Sequence, residues 1–403
     1  MFHVSFARLT VAALVLYSVP VAAESIELDL RGAIDRAHRA APDAVAARGR
    51  VAEAEAAVVE ANVAFTSNPE VDVGAGPRFA SQHPVDAEVR IEQELEPWRR
   101  EPRRALARAE VARARGEASL RLRDLDLEVA LAFCESLSAD REVDLATRAA
   151  DLAARGADAA DRRRKAGDIT DLDANLASAA RGRARAAVAA AASERAIALG
   201  KLAALIGAAP DDTVTLRGDL RSLGPPVALP AVALRPDVRA LELERDAATA
   251  ERAHANAHGR PGVAIWLGYQ REDTTDIVLA GLRLSLPVWN HGQGELALAS
   301  AKQRRASEAR DATARMATRE IADALAAYRD AQRSVEVFEQ EVVPALDDSE
   351  RLLDKTLGAG QIAVSDYLFA RQELLNGRRE HLQRLLALAK AAVAARYAAG
   401  VSP

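Results

Sequence analysis

Two stretches of the chain alternate apolar and polar residues with a period of two. In the first, Val85, Ala87, Val89, Ile91 and Leu95 alternate with Asp86, Glu88, Arg90, Glu92 and Glu94. In the second, Val278, Ala280, Leu282, Leu284 and Leu286 share one face, while Ile277 and Leu279 blur the other. Successive side chains of a strand point to opposite faces, so each stretch predicts a strand with one apolar side. Each has an upstream partner, "PEVDVGAG" from Pro69 and "PGVAIWLGYQ" from Pro261, reached through a polar turn. The pattern predicts strands at about 69–76, 85–95, 262–270 and 276–286.

After each strand pair the texture becomes helical. No proline occurs between Pro102 and Pro210, and only Pro344 lies between Pro287 and Pro403. Ile321, Leu325, Tyr328, Ala331, Val335, Phe338 and Val342 step by fours and threes, as a coiled-coil seam does. Leu122, Leu125, Val129 and Ala132 begin a similar pattern in the first span. A helix from Arg104 to Lys165 would be ~90 Å long. Each long helix ends at a glycine in a shared motif. "AGDITDLDANLA" starts at Ala166 and "AGQIAVSDYLFA" at Ala359, an offset of 193 residues. An alanine-rich helix resumes after each, so each motif is the tip of a helical hairpin.

The chain therefore reads as two tandem repeats of helix, β-hairpin, long coiled-coil helix, tip and helix. They cover residues 24–207 and 231–403, with tips at about 166–173 and 358–366, and a Pro/Gly-rich linker over 208–230. Strands of this length suit a membrane barrel; an amphipathic hairpin packed on a helix is the other reading of the same pattern. Four strands cannot close a barrel, whereas three copies supply twelve. The expected fold class is mainly α with a membrane β-barrel, a trimeric α/β-barrel with twelve strands shared by three chains.

Composition narrows the class. Apolar residues make up 49% of the 403 residues but aromatic ones only 4%, and alanine supplies much of the rest, which favours long, closely packed helices. Lys and Arg (54) are balanced by Asp and Glu (59), which is no footprint for nucleic acid. Residues 1–23 read as a cleaved signal peptide: Arg8, an apolar run from Leu9 to Val19, then Val21-Ala22-Ala23. Cys134 is the only cysteine, which rules out an intrachain disulfide. No later stretch has 18 consecutive apolar residues. That leaves a soluble exported protein or a β-barrel.

Chemical motifs are sparse. There is no Gly-x-Ser-x-Gly elbow, no phosphate-binding loop and no Cys-x-x-Cys pair, so no enzyme and no cofactor is expected. His254 and His258 are four apart, a metal-ligand spacing, but "HANAH" lacks the glutamate of a zinc hydrolase, and no metal site is assigned.

At this point the residues resemble the TolC-type outer-membrane efflux factors. "LRPDVRALELERDAATAERAHANAHGRPGVAI" resembles that family's Arg-Pro-Asp start, alanine-rich helix and proline-led strand. "LDLRGAIDRAHRAAPDAVAARGRVAEAEAAV" resembles its first helix, and "LRLSLPVWNHGQGELALASA" its strand end, turn and following helix. The turns "LPVWNHGQG" and "LEPWRREPRR" are most like those of the subgroup serving heavy-metal cation pumps.

The resemblance implies a homotrimeric, passive conduit. Its barrel would stand in outer-membrane lipid and its helical tunnel in the periplasm. A periplasmic adaptor (membrane fusion protein) would couple it to an inner-membrane RND-type transporter in a tripartite efflux system. A drug-efflux or type I secretion exit duct is the alternative within this class; a periplasmic coiled-coil scaffold is the alternative outside it.

The resemblance also assigns roles to residues. Gly167, Ile169, Gly360, Gln361 and Ile362 are the expected adaptor-docking tips. Asp168, Asp171, Asp173 and Asp366 would form a periplasmic gate, repeated around the trimer axis. Thr170 to Asp173 also reads as a capping box with Asp in place of Glu. Trp266 and Tyr269 are the expected membrane-interface aromatics. Trp98 and Trp289 lie at strand-to-helix junctions. Arg99, Arg100, Arg103 and Arg104 would face either lipid head groups or acidic neighbours.

Overall fold

The computed structural model describes residues 25–77, 85–223, 232, 235–272, 275–358 and 362–401. The expected signal peptide lies outside these, as do Gly360 and Gln361. The first half runs β1 (Ser25–Leu28), α1 (Leu30–Ala40), α2 (Pro42–Asn62), β2 (Glu70–Pro77), β3 (Val85–Leu95), α3 (Arg100–Lys165) and α4 (Asp171–Leu205). β4 (Thr213–Leu216) and a 3-10 turn (Leu220–Ser222) follow. The second half runs α5 (Pro236–His258), β5 (Gly262–Glu272), β6 (Thr275–Ser285), α6 (Gln293–Glu341), α7 (Val343–Gly358) and α8 (Val364–Ala398).

Local chemistry sets several of these boundaries. Asp29 caps α1 by accepting from the Gly32 N–H at 2.7 Å. Pro42 and Pro236 open α2 and α5, where a missing N–H costs nothing. α3 is one unbroken helix of 66 residues, ~99 Å long. Its counterpart in the second half is divided. α6 ends at Glu341 and α7 resumes at Val343, because Pro344 has no N–H to give the Gln340 carbonyl. The seam expected to run through Val342 stops there.

The core lies midway along α3. Val129 and Phe133 on α3, Leu202 and Ile206 at the end of α4, and Val393 on α8 are all but completely buried around β1 and β4. Burying each such side chain contributes ~1.5–3 kcal/mol. Ala37, Ala44, Ala130 and Ala389 have no exposed surface and let the helix backbones approach closely. The stretch read as a linker holds β4, which pairs in parallel with β1 from Ser25↔Thr213 to Leu28↔Leu216 and buries Val214.

A polar knot closes the other side of this core. Arg235, only 3% exposed, donates to the Ala398 carbonyl at 2.6 Å and to Asp237 and Glu320. Arg123 donates to the Tyr397 carbonyl at 2.6 Å and stacks 3.8 Å over its ring. Burial alone would raise the Asp237 pKa, but hydrogen bonds from Arg235 and the charges of both arginines hold it below its usual value. The end of α8 is thereby fastened to the start of α5 and to α3.

From this middle, α3 runs both ways. It packs against α2 and α5 towards the sheet and against α4 and α8 towards the hairpin tips. The sheet is antiparallel throughout, in the order β2-β3-β5-β6. The two halves join in it where β3 meets β5, from Ala87↔Arg271 to Leu95↔Val263. Among the described residues, the outer strands β2 and β6 have no further strand beside them.

Candidate functional site

Two surfaces carry the sequence-predicted residues: the hairpin tips and the sheet. At the first tip, α3 ends at Lys165 and Gly167 takes a left-handed φ of +83°. The Gly167 N–H donates to the Arg164 carbonyl at 3.0 Å and the Asp168 N–H to the Arg163 carbonyl at 2.8 Å. This paired reversal satisfies two helix-end carbonyls and requires the backbone that glycine adopts without strain.

Ile169 folds back. It is half-buried and packs with Val364 on Ala157, Ala160 and Ala177. Ile362 lines the cleft beside the same alanines. Both isoleucines therefore lie against the helices behind the turns and keep only part of their surface free.

The four aspartates divide. The Thr170 hydroxyl accepts from the Asp173 N–H at 3.1 Å, and Asp173 accepts from the Thr170 N–H at 3.3 Å and its hydroxyl at 2.8 Å. Asp173 is thus taken up in a capping box. Asp171 is exposed and 3.5 Å from Arg164. Asp168 and Asp366 are exposed and meet no cation among the described residues. At the second tip Ala363 occupies the N-cap and makes no side-chain cap bond.

Leu172, Leu176 and Phe369 are exposed apolar residues that the sequence reading passed over. The repeat offset held the signal, because Leu176 and Phe369 stand at equivalent places in the two motifs.

In the sheet, register sorts the residues by face. Val71, Val73, Val89, Ile91, Ile265, Leu267, Tyr269, Val278, Leu282 and Leu284 all lie on one side, and all are exposed. The other side carries Asp72, Glu88, Arg90, Glu92, Trp266 and Arg283. Trp266 and Tyr269 therefore face opposite ways. Residues three apart in a strand must do so.

Tyr269 stays with the apolar face and donates to Asp276 at 2.7 Å. Trp266 lies flat over Gly281, where an added Cβ would come within 2.7 Å of the ring. The Arg90 guanidinium sits 4.3 Å above the same ring. Glu92, 6% exposed, is held between Arg90 and Arg283. Trp266 and Tyr269, expected together as membrane-interface aromatics, thus lie on opposite faces of the sheet, and Tyr269 shares the apolar one.

The junction between sheet and helices is also polar. Trp98 donates to the Pro261 carbonyl at 2.7 Å, while Trp289 is 90% exposed. Arg103 pairs with Glu96 and donates to the Ala61 and Val63 carbonyls, and Arg104 pairs with Glu101. These arginines tie the end of α2 to the start of α3. His254 and His258 meet edge to face with ring centres 4.6 Å apart, and His258 reaches Glu295 at 3.0 Å. Among the described residues no three ligating side chains are grouped to hold a metal ion. None of their helices is long and apolar enough to cross a membrane.

Comparison with known proteins fits this geometry. Residues 230–401 match the family described as Outer membrane efflux protein. No curated protein matches the chain. Solved structures with the same fold include a membrane protein from Pseudomonas aeruginosa, 19% identical with a TM-score of 0.75 over 92% of this chain and 93% of that one. VceC from Vibrio cholerae is 20% identical, with a TM-score of 0.72 over 93% and 96%. CusC is 17% identical, with a TM-score of 0.75 over 94% of each chain. The chain thus shares the fold of these outer-membrane channels along its described length, and within it residues 230–401 resemble the outer membrane efflux protein family in sequence.

Proposed function

We propose that three copies of this chain join edge to edge, β6 of one against β2 of the next, into a twelve-stranded outer-membrane barrel above a periplasmic helical tunnel. The assembly is a passive conduit that receives its cargo from an inner-membrane RND-type pump through a periplasmic adaptor. The cargo is a heavy-metal cation.

One observation carries the reading. Among the described residues, the four-stranded sheet has an exposed apolar face and two unpaired edges, on strands of up to 11 residues. Such a face belongs in lipid, and such edges persist in a membrane only if they close on themselves. Below the edges, α2 bears exposed Val45 and Val59 and α6 exposed Leu298 and Met316, which suit a continuing seam between copies. In this arrangement Val71, Ile265, Leu267 and Tyr269 meet lipid, and Trp266, Arg90 and Glu92 line the lumen. The strand-to-helix turns support the metal-cation cargo by their likeness to that subgroup.

The test is fractionation of cells expressing the full chain. The expected result is an outer-membrane protein that migrates as a heat-sensitive trimer and conducts ions in a planar bilayer. Recovery as a soluble periplasmic monomer would overturn the conduit. Loss of zinc, cobalt or copper tolerance on deletion supports the cargo; drug sensitivity with unchanged metal tolerance would replace it with a drug.

A further inference from the structure

Two histidines stand where α5 hands over to β5. His254 and His258 lie one turn apart at the end of α5, on the same side of the helix. Their ring centres are 4.6 Å apart and the ring planes meet at 67°. The start of α6 is drawn in against them. Gly292, at a φ of +77°, comes so close that an added Cβ would lie 3.1 Å from the Ala255 carbonyl oxygen and 3.6 Å from the His258 Cβ. Gly259 is pressed even more tightly on the His291 carbonyl oxygen, where an added Cβ would come within 2.7 Å. This approach brings Glu295, in the first turn of α6, to 3.0 Å from His258 Nδ1.

The pair is short of hydrogen bonds. Glu295 takes up Nδ1 of His258, and among the described residues nothing bonds its Nε2. Nδ1 of His254 is buried with no hydrogen-bond partner. A buried polar nitrogen is costly to leave bare. Burial, and next the charge of His258, hold the His254 pKa below the usual imidazole value, although Glu295 and Glu96 pull the other way. The nearby Arg103 adds to the lowering and is paired with Glu96. At neutral pH His254 is therefore the uncharged ring, which is the form that binds metal ions.

The ring separation is that of a chelate. A metal ion about 2.0–2.1 Å from an imidazole nitrogen lies ~3.2 Å from the ring centre, so two rings sharing one ion at about 90–110° have centres ~4.5–5.2 Å apart. The two rings already stand in that range. The carboxylate of Glu295 on the Nδ1 of His258 is the outer partner that orients a ligating imidazole and raises its basicity. Edge-to-face packing alone accounts for the ring angle but not for the bare buried nitrogen. The spacing in the sequence assigns no metal by itself; the tertiary structure adds the ring separation, the bare nitrogen and the carboxylate.

We propose that His254 and His258 chelate one divalent late first-row transition-metal ion, copper(II), nickel or zinc, through one ring nitrogen each, with Glu295 orienting His258 and water completing the coordination. Imidazole suits these ions, whereas magnesium and calcium take oxygen ligands. Among the described residues no third side chain joins the pair, so the site is open and exchangeable. The bound ion ties the last turn of α5 together just before Pro261 leads into β5. The proposal stands on one chain and needs neither the trimer nor a metal cargo.

The test strips the untagged, detergent-extracted full chain with EDTA and titrates it with copper, nickel, zinc and magnesium chlorides at neutral pH by isothermal calorimetry. The expected result is one ion per chain, copper bound most tightly and magnesium not at all. His254→Asn and His258→Asn should each weaken binding at least about tenfold, and Glu295→Gln about tenfold. Unchanged affinity in either histidine variant with unaltered circular dichroism, or equal binding of magnesium, would overturn the site. If the variants do not fold, two measurements on the unmodified chain still decide. Its copper(II) EPR spectrum should show two nitrogen ligands, and zinc should slow amide exchange at the end of α5. Fewer than two nitrogens, or protection at His38 or His381 instead, would sink the proposal. A conducting trimer that binds no metal ion removes this site alone and leaves the conduit reading intact.

Discussion

Cys134 sits in the mid-α3 core beside Val129 and Phe133, with no exposed surface. Burial pushes its thiol up to about 12. At pH 8 only about one part in ten thousand would be thiolate, and the thiolate is the form that reacts. Iodoacetamide at pH 8 should therefore leave the folded protein unlabelled by mass spectrometry and label it at once in guanidinium. Labelling of the folded chain at the rate of a free thiol would place this residue outside the core. In the sequence a lone cysteine inside a helical pattern of an exported chain already reads as a buried small hydrophobe. Tyr269 and Trp266 show the complementary case. Both are aromatic and both lie in β5, yet period two puts residues three apart on opposite faces. That parity is present in the sequence; what holds Trp266, the bare Gly281 and the cation of Arg90, comes from two other strands.

At the scale of elements, the two hairpins differ where their motifs differ. Thr170 and Asp173 cap α4 reciprocally, whereas Ala363 leaves α8 without a side-chain cap. Replacing Thr170 by Ala should cost about 1 kcal/mol of local stability, and replacing Ala363 by Thr should return about half to one. Amide hydrogen exchange in the first turns of α4 and α8 reads both effects; unchanged exchange in each would mean that tertiary packing, not capping, fixes these helix starts. The cap was legible from four consecutive residues. The division of α6 from α7 was not read in advance, although Pro344 marks it, because the seam of apolar residues runs up to Val342 without a break. Nor was the pairing of β1 with β4. Four residues of strand carry too little periodicity to announce a partner some 190 positions away, and only the closure of the core between α1, α4 and α8 brings them together.

At the scale of the whole molecule, three copies of the tip would set three Asp168 and three Asp366 carboxylates around one axis. Asp171 would add three more, weakly held by Arg164. Changing Asp168, Asp171 and Asp366 to Asn should raise single-channel conductance or relieve block by divalent cations, because like charges crowded in a narrow opening both attract cations and repel each other. Asp173→Asn is the contrasting variant. It weakens a cap and should lower thermal stability more than it alters conductance. Equal conductance in all of these variants would remove the gate and leave only the caps.

The order of residues by itself determined the long helices, the strand faces and the first tip turn. Each of these is a local periodicity or a short capping pattern, and local patterns need no distant partner to be read. Tertiary structure alone decided which arginines are paired with carboxylates, that β3 of one half meets β5 of the other, and that Ile169 turns inward while Phe369 stays exposed. Those outcomes depend on which helices come to lie side by side. Arg371 and Arg378 stand seven residues apart on α8, and only the nearness of Asp347 and Glu350 to Arg378 distinguishes them.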